Sequence, residues 1–256
     1  MKSVSSVYKT LLKSYGPQGW WPLSGLGRPV KKKDEDFDSY LKSNPNGTAA
    51  EFKSNWPRHL GIIPREDRQK FEIILGAILT QNTNWNNVEK ALYNINSHNF
   101  LHIKKIKNAN HEKLARFVRP AGYYNQKAER LKMIAAKLDL FTHINAFFLQ
   151  ENIRHKLLEM NGIGPETADS MLLYAGNLPF FVIDAYTKRL FSRLGFCKEA
   201  VSYHELQGLI TKNLKQDLNL FKEFHALIVE HAKQHCRTKP ICEGCPLGKI
   251  CRRNKK

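Results

Sequence analysis

Four of the chain's five cysteines fall within its last 21 residues: Cys236, Cys242, Cys245 and Cys251, spaced C-x5-C-x2-C-x5-C. Thiols packed this closely in sequence form a compact soft-ligand set, suited to Zn²⁺ or to an iron–sulfur cluster. A disulfide scaffold would instead distribute its cysteines through a small secreted chain. Structural zinc sites usually pair two C-x2-C hooks, and only one pair here is that close. The spacing therefore favours the cluster and leaves zinc open. Arg237, Lys239, Lys249, Arg252 and Arg253 surround the cysteines and would either offset the charge of such a site or carry it onto an anionic partner. Cys197 stands alone and reads as a small buried hydrophobe.

A metal at one end cannot fold 256 residues, so apolar patterning must do the rest. Phe71, Ile74, Leu75, Ile78 and Leu79 keep the stripe of a core-facing helix. Val88, Ala91, Leu92 and Ile95 repeat it, as do Ala128, Leu131, Ala135 and Leu138, then Ala168, Met171, Leu172 and Ala175. Phe221, Phe224 and Ile228 mark a long helix running into the cysteines. The single strand-like run, Phe180–Ile183, is too short to build a sheet, so the expected fold is all-α. Ser24 to Asp67 breaks the pattern with Gly, Pro, Lys and Asn, and reads as an irregular excursion with a short helix near Phe37–Leu41.

Charge narrows the class of partner. Lys and Arg number 41 against 23 acids, a balance of +18. Without a membrane anchor, that excess points to a polyanion, most often nucleic acid. No apolar run approaches the roughly 18 residues of a membrane span. The first residues lack the apolar stretch of a signal peptide. A cytoplasmic, nucleoid-associated protein with no membrane partner is expected, and nothing demands more than a monomer.

The most informative segment is Leu157–Ala168, which joins two helical patterns through Gly162-Ile163-Gly164-Pro165. Gly162 and Gly164 permit positive φ and close backbone approach. Pro165 suits the first turn of a helix, whose free amides make an anion site. The pattern L-x-x-x-x-G-I-G-x-x-T-A resembles the helix-hairpin-helix element, which holds DNA phosphates through backbone amides. Asp184 follows twenty residues after Gly164 in Val182-Ile183-Asp184-Ala185-Tyr186.

Hairpin, V-I-D segment and cysteine cluster, in this order, resemble the endonuclease III superfamily of DNA glycosylases. Leu79-Thr80-Gln81-Asn82-Thr83 is similar to its L-x-x-Q-x-T loop, and Gly122-Tyr123-Tyr124-Asn125-Gln126-Lys127-Ala128 to its G-x-Y-N-x-K-A. The resemblance covers roughly Phe71 to Cys251 and a piece near the N-terminus. It implies a two-domain fold, a six-helix barrel plus a helical iron–sulfur domain, with damaged double-stranded DNA held between them. Residues 1–66 would join the iron–sulfur domain and carry an insertion at 24–66. Residues 67–185 would form the barrel with the hairpin, and 186–256 the rest of the iron–sulfur domain. Cys236, Cys242, Cys245 and Cys251 would hold a [4Fe–4S] cluster, although the family commonly places six residues, not five, between its first two cysteines.

The resemblance also implies roles. Asp184 would stabilise the oxocarbenium ion at C1′ and activate water; read alone, it is a helix cap. Gln81 would fill the gap left by the flipped nucleotide, or be an exposed loop amide, with Asn82 beside it. Gly162, Gly164 and Thr167 would meet the DNA backbone, and Asn125 and Lys127 would hold phosphates or support the cleft. Family members that nick DNA place a lysine two residues after the last hairpin glycine, where it forms a Schiff base. Here that residue is Glu166, so a monofunctional enzyme without lyase chemistry is expected. Gly19-Trp20-Trp21-Pro22 and the Trp85 that follows Gln81-Asn82-Thr83-Asn84 resemble the 3-methyladenine branch, in which such residues line the base pocket. Trp20, Trp21, Pro22 and Trp85 would stack on a cationic alkylated purine, or only pack a junction. Trp56-Pro57 repeats the pair and reads better as a plug for the insertion. The rival readings are a glycosylase for oxidised pyrimidines or mismatched bases, and a DNA-binding relative without activity.

Overall fold

The computed structural model describes residues 3–23 and 64–252. The 24–63 stretch of the expected insertion, including Trp56-Pro57 and the short helix near Phe37–Leu41, lies outside the described residues. The chain divides into two compact units, one of residues 63–180 and one of residues 1–62 with 181–256. Among the described residues every regular element is a helix, as the patterning requires.

The continuous unit is organised around α2 (Asp67–Leu79), buried at every position from Lys70 to Leu79. A helix buried on every face needs neighbours on all sides. It is started by a reciprocal Glu66–Gln69 capping box. Around it come α3 (Trp85–Ser97) and α4 (Ile103–Lys107). Next are α5 (His111–Val118) and α6 (Tyr124–Leu138). Asn84 caps α3 by accepting from the Asn87 amide, and Asn110 caps α5 from Lys113. Ala128, Leu131, Ala135 and Leu138 are buried along α6, as their spacing predicts. After α7 (Ile144–Phe148), the hairpin is built by α8 (Ile153–Leu158) and α9 (Pro165–Ser170). The second hairpin helix then widens into a π-turn over Met171–Ala175, all five residues buried.

The discontinuous unit takes α1 (Val4–Tyr15) from one end of the chain. From the other it takes α10 (Ala185–Leu194), α11 (Tyr203–Lys212) and α12 (Leu218–Gln234). Val4, Val7, Leu11 and Tyr15 form the buried stripe of α1. Tyr8 meets Phe224 of α12 edge to face at 5.4 Å. Phe181 and Phe191 close on the same ring at 5.7 and 6.3 Å. The run Phe181–Ile183 is buried but extended without a partner strand, a core lead-in to α10. Gly195, at φ 72°, ends α10 in the left-handed region, where a side chain would be strained.

Candidate active site and hairpin

The hairpin turn takes the expected conformation at Gly162 and Pro165, while Gly164 does not use the left-handed region. Gly162 sits at φ 77°, Gly164 is the extended cap of α9, and Pro165 opens the helix. A Cβ at Gly162 would lie 2.0 Å from Arg130 Nε, the far end of a flexible side chain that can give way, so it is the positive φ that calls for glycine there. A Cβ at Gly164 would meet nothing within 4 Å, so that backbone is open to a partner. Glu166 is exposed on the first turn of α9.

Behind the turn lies a polar network. Gln81 Nε2 donates to Gly162 O and to Thr167 Oγ1, both at 2.9 Å, while its Oε1 accepts from Arg130 at 2.6 Å. The side chain expected to enter the DNA stack is thus tied to the hairpin in this structure. Thr167, 7 % exposed, contributes its hydroxyl inward. Asn82, at φ 51°, and Asn125 are exposed.

Of the two readings of Lys127, its surroundings favour support for the cleft. Lys127 is 1 % exposed, and its ammonium donates to the carbonyls of Leu79, Gln81 and Ala121 at 2.9, 2.8 and 2.7 Å. Its three donors are spent on the end of α2 and the turn before α6, so it supports the loop from within and does not reach a phosphate. Burial, and then Arg130, lower its pKa to about 8. A second inward pair holds the hairpin's two helices. Arg154 on α8 grips Asp169 on α9 through Nε–Oδ1 at 2.7 Å and NH2–Oδ2 at 3.1 Å, with Asp169 fully buried. Trp85, in the same unit, opens α3 half-buried and donates Nε1–H to Glu89 at 2.8 Å.

In the discontinuous unit, Asp184 is both cap and site. Its Oδ1 accepts from the amide and the hydroxyl of Thr187, each at 2.7 Å, which starts α10. Its Oδ2 stands 3.6 Å from His225 Nε2 on α12, with the two side chains 12 % and 7 % exposed. Burial pushes the carboxyl up, but His225 and the two Thr187 bonds outweigh it. The net effect holds Asp184 below its ordinary value, as a carboxylate.

The tryptophan pair belongs to this neighbourhood. Trp21 is buried at 7 %, while Trp20 and Pro22 are half-buried. Trp20 meets the His225 ring edge-on at 6.0 Å, and Lys233 lies 5.8 Å over its face. Glu223 accepts the amides of Gln18 and Gly19, fixing the turn that presents the pair. Sequence reasoning missed His225, because a histidine on a helical stripe looks like core. The available signal was that His225, His231 and His235 all lie on the one segment leading to the cysteines.

The cysteine loop is tied to the end of α10. Arg193 donates to Cys236 Sγ at 3.3 Å and to the carbonyls of Arg237 and Thr238 at 2.6 and 2.9 Å. Cys251 Sγ lies 3.6 Å from Arg193 O, and Cys245 Sγ lies 4.0 Å from His231 Nε2. Burial pushes the Cys245 thiol up, and Cys251, Cys236 and Cys242 are near enough to raise it further. Among the described residues no three Cys, His, Asp or Glu side chains stand close enough to enclose a metal ion as placed. Four soft donors around one loop, with an arginine hydrogen-bonded to one of the sulfurs, nevertheless fit a thiolate-ligated group in donor chemistry and charge.

Known proteins are similar to this chain. Residues 75–216 match the family model of the HhH-GPD superfamily base excision DNA repair protein, a span holding the Gln81 loop, the hairpin and Asp184. The chain belongs to this superfamily. A Methanocaldococcus jannaschii protein named as a DNA repair glycosylase is 38 % identical, over 97 % of this chain and 95 % of its own length. Endonuclease III of Sulfolobus acidocaldarius is 30 % identical, over 72 % of this chain and 82 % of its own. Among solved structures, H. pylori 3-methyladenine DNA glycosylase (MagIII) bound to 1,N6-ethenoadenine aligns with a TM-score of 0.59 at 32 % identity, over 77 % of this chain and 95 % of its own. In this HhH-GPD member, Trp20–Pro22, His225 and the cysteines lie outside the span of the family model, so they are where its own chemistry must be argued from its residues.

Proposed function

We propose that this HhH-GPD protein is a monofunctional DNA glycosylase that excises alkylated purines such as 3-methyladenine and 7-methylguanine from double-stranded DNA, in base excision repair. The observation that carries the reading is Asp184, a nearly buried carboxylate held ionised, with one oxygen spent on its helix and the other 3.6 Å from His225, whose ring in turn meets Trp20. An N-alkylated purine is cationic. It gains about 1–2 kcal/mol on the face of an indole, and the same charge makes it a good leaving group. Trp20, Trp21, Pro22 and Trp85 would supply the pocket. Asp184 would stabilise positive charge at C1′ and take the proton from the attacking water. The Gly162 and Gly164 turn, with Asn82 and Asn125, would meet the DNA backbone. Glu166 offers no amine for a Schiff base, so the reaction ends at an abasic site with the strand intact. The relative named as a 3-methyladenine glycosylase supports the substrate class.

Cys236, Cys242, Cys245 and Cys251 are proposed to hold a [4Fe–4S] cluster, which when bound supplies iron–thiolate bonds that tie the C-terminal loop together. Arg193 is the residue of this chain that neutralises and orients that loop.

Purified protein is incubated with methylated duplex DNA, released bases are identified, and strand cleavage is scored without alkali. Free 3-methyladenine or 7-methylguanine with no nick is expected, and Asp184→Asn should abolish release. Nicking at the lesion overturns the assignment to a monofunctional enzyme. Release of thymine glycol or a mismatched base instead would favour the relationship to endonuclease III.

A further inference from the structure

We propose that His225 is a positioning residue for this reaction: it fixes the orientation of Asp184 Oδ2 and of Trp20 together, so that a base stacked on the indole presents its sugar to that oxygen. This rests on the assignment of Asp184 as the catalytic carboxylate. Three observations carry it. Thr187 holds Oδ1 through two 2.7 Å bonds, so the carboxylate plane is fixed about α10 and Oδ2 is the oxygen left for chemistry. The group that meets Oδ2 is His225 Nε2, at 3.6 Å and buried. The same imidazole lies edge-on to Trp20, at 6.0 Å and 85°. One ring from α12 thus touches the helix cap and the N-terminal tryptophan segment, two elements far apart in sequence. Sharing a rigid ring couples their placement more tightly than two separate contacts would. His225 itself need not touch substrate.

Other charged groups on these elements have contacts of their own: Arg189 with Tyr186 and the Cys236 carbonyl, Arg193 with the cysteine loop, Glu230 with Gln234 and His231 with Tyr15. Glu223 is bonded to the amides of Gln18 and Gly19. Lys233 lies over Trp20. Lys222 is buried one turn before His225. None of these replaces the contact to Oδ2 described for His225.

The test compares His225→Leu, which removes the ring nitrogens, with His225→Gln, which keeps an N–H donor of similar reach. Single-turnover release from methylated duplex DNA should fall about tenfold to a hundredfold in the leucine variant, the worth of a charge-assisted contact. Affinity for a duplex carrying a stable abasic-site analogue should be unchanged. The glutamine variant should recover most of the rate. Independently of activity, the ¹³C carboxyl titration of Asp184, identified by its loss in Asp184→Asn, should move to higher pH in His225→Leu. The acid limb of the rate profile should move with it. A carboxyl midpoint that stays put, or a glutamine variant no faster than leucine, overturns the proposal. If His225→Leu does not fold, His225→Asn takes its place, being one methylene too short to reach. If the wild-type protein releases no alkylated base but the Asp184 midpoint still moves, the substrate assignment fails while the positioning role stands.

Discussion

Two carboxylates, one buried in the continuous unit and one nearly buried in the discontinuous unit, are held in opposite ways. Asp169 in the hairpin has both oxygens gripped by one guanidinium, at 2.7 and 3.1 Å. Asp184 has one oxygen saturated by Thr187 and the other 3.6 Å from His225. A carboxylate closed on both sides can only hold a fold together. A carboxylate fixed through one oxygen is equally well placed, yet keeps basicity on the other. The difference between scaffold and reagent lies in how many lone pairs the protein leaves over, and burial alone does not reveal it.

The sharpest way to break this comparison is Asp184→Asn. Asparagine still accepts from the Thr187 amide, so the cap survives, and the thermal midpoint should barely change. Base release should fall by at least about 10³-fold, the loss of electrostatic stabilisation at the reacting carbon. Comparable loss of stability and rate would mean that Asp184 is scaffold too.

The reverse experiment is Arg154→Met. It takes both guanidinium bonds away from a buried carboxylate, which costs about 3–5 kcal/mol of unfolding free energy. The single-turnover rate of the protein that remains folded should be unchanged. Urea denaturation beside single-turnover kinetics separates the two effects, and a rate loss without a stability loss would erase the distinction.

Lys127→Met should cost less, about 2–3 kcal/mol, by leaving the carbonyls of Leu79, Gln81 and Ala121 without their shared donor. Because this ammonium points inward, the salt dependence of duplex binding should keep its slope. A shallower slope would restore Lys127 to the phosphate contacts.

A pH dependence in the carboxylate's own unit tests the comparison in another way. Burial lowers the Lys222 pKa from 10.5 to about 8. Between those values the unfolded chain binds more protons than the folded one, so this lysine makes stability rise with pH across that window. Lys222→Met should flatten that rise in chemical denaturation at stepped pH. An unchanged slope would mean that another group carries it.

Much of this was legible in the sequence, for definite reasons. Helical stripes report burial directly, so α2, α3 and α6 could be read from spacing. Gly162 announces a backbone requirement that glycine meets best, and the structure sets it at φ 77°, whereas Gly164 is extended. Asp184 stood out because it ends an apolar run at a helix start. What stayed hidden was direction and pairing. Lys127 was visible as a cation in a motif, but nothing in one dimension says whether a lysine points toward solvent or toward three carbonyls. Gln81 was expected to reach outward and is bonded inward to Gly162 and Thr167. Arg154 and Asp169 are fifteen residues apart with unremarked neighbours, and His225 is forty-one residues from the carboxylate it faces. Such pairs exist only after folding.

Helix α10 carries one further consequence. Asp184 caps its start, and Arg193, nine residues on, fastens its last turn to Cys236 and the carbonyls beyond it. A helix advances about 1.5 Å and turns about 100° per residue, so this segment works as a ruler of about 14 Å with a fixed phase. One inserted or deleted residue would swing Arg193 away from the cysteine loop or Thr187 away from the carboxylate. Length variation between homologues should therefore be absent here, whatever happens elsewhere. In design, this ten-residue stretch can be recoloured but not resized.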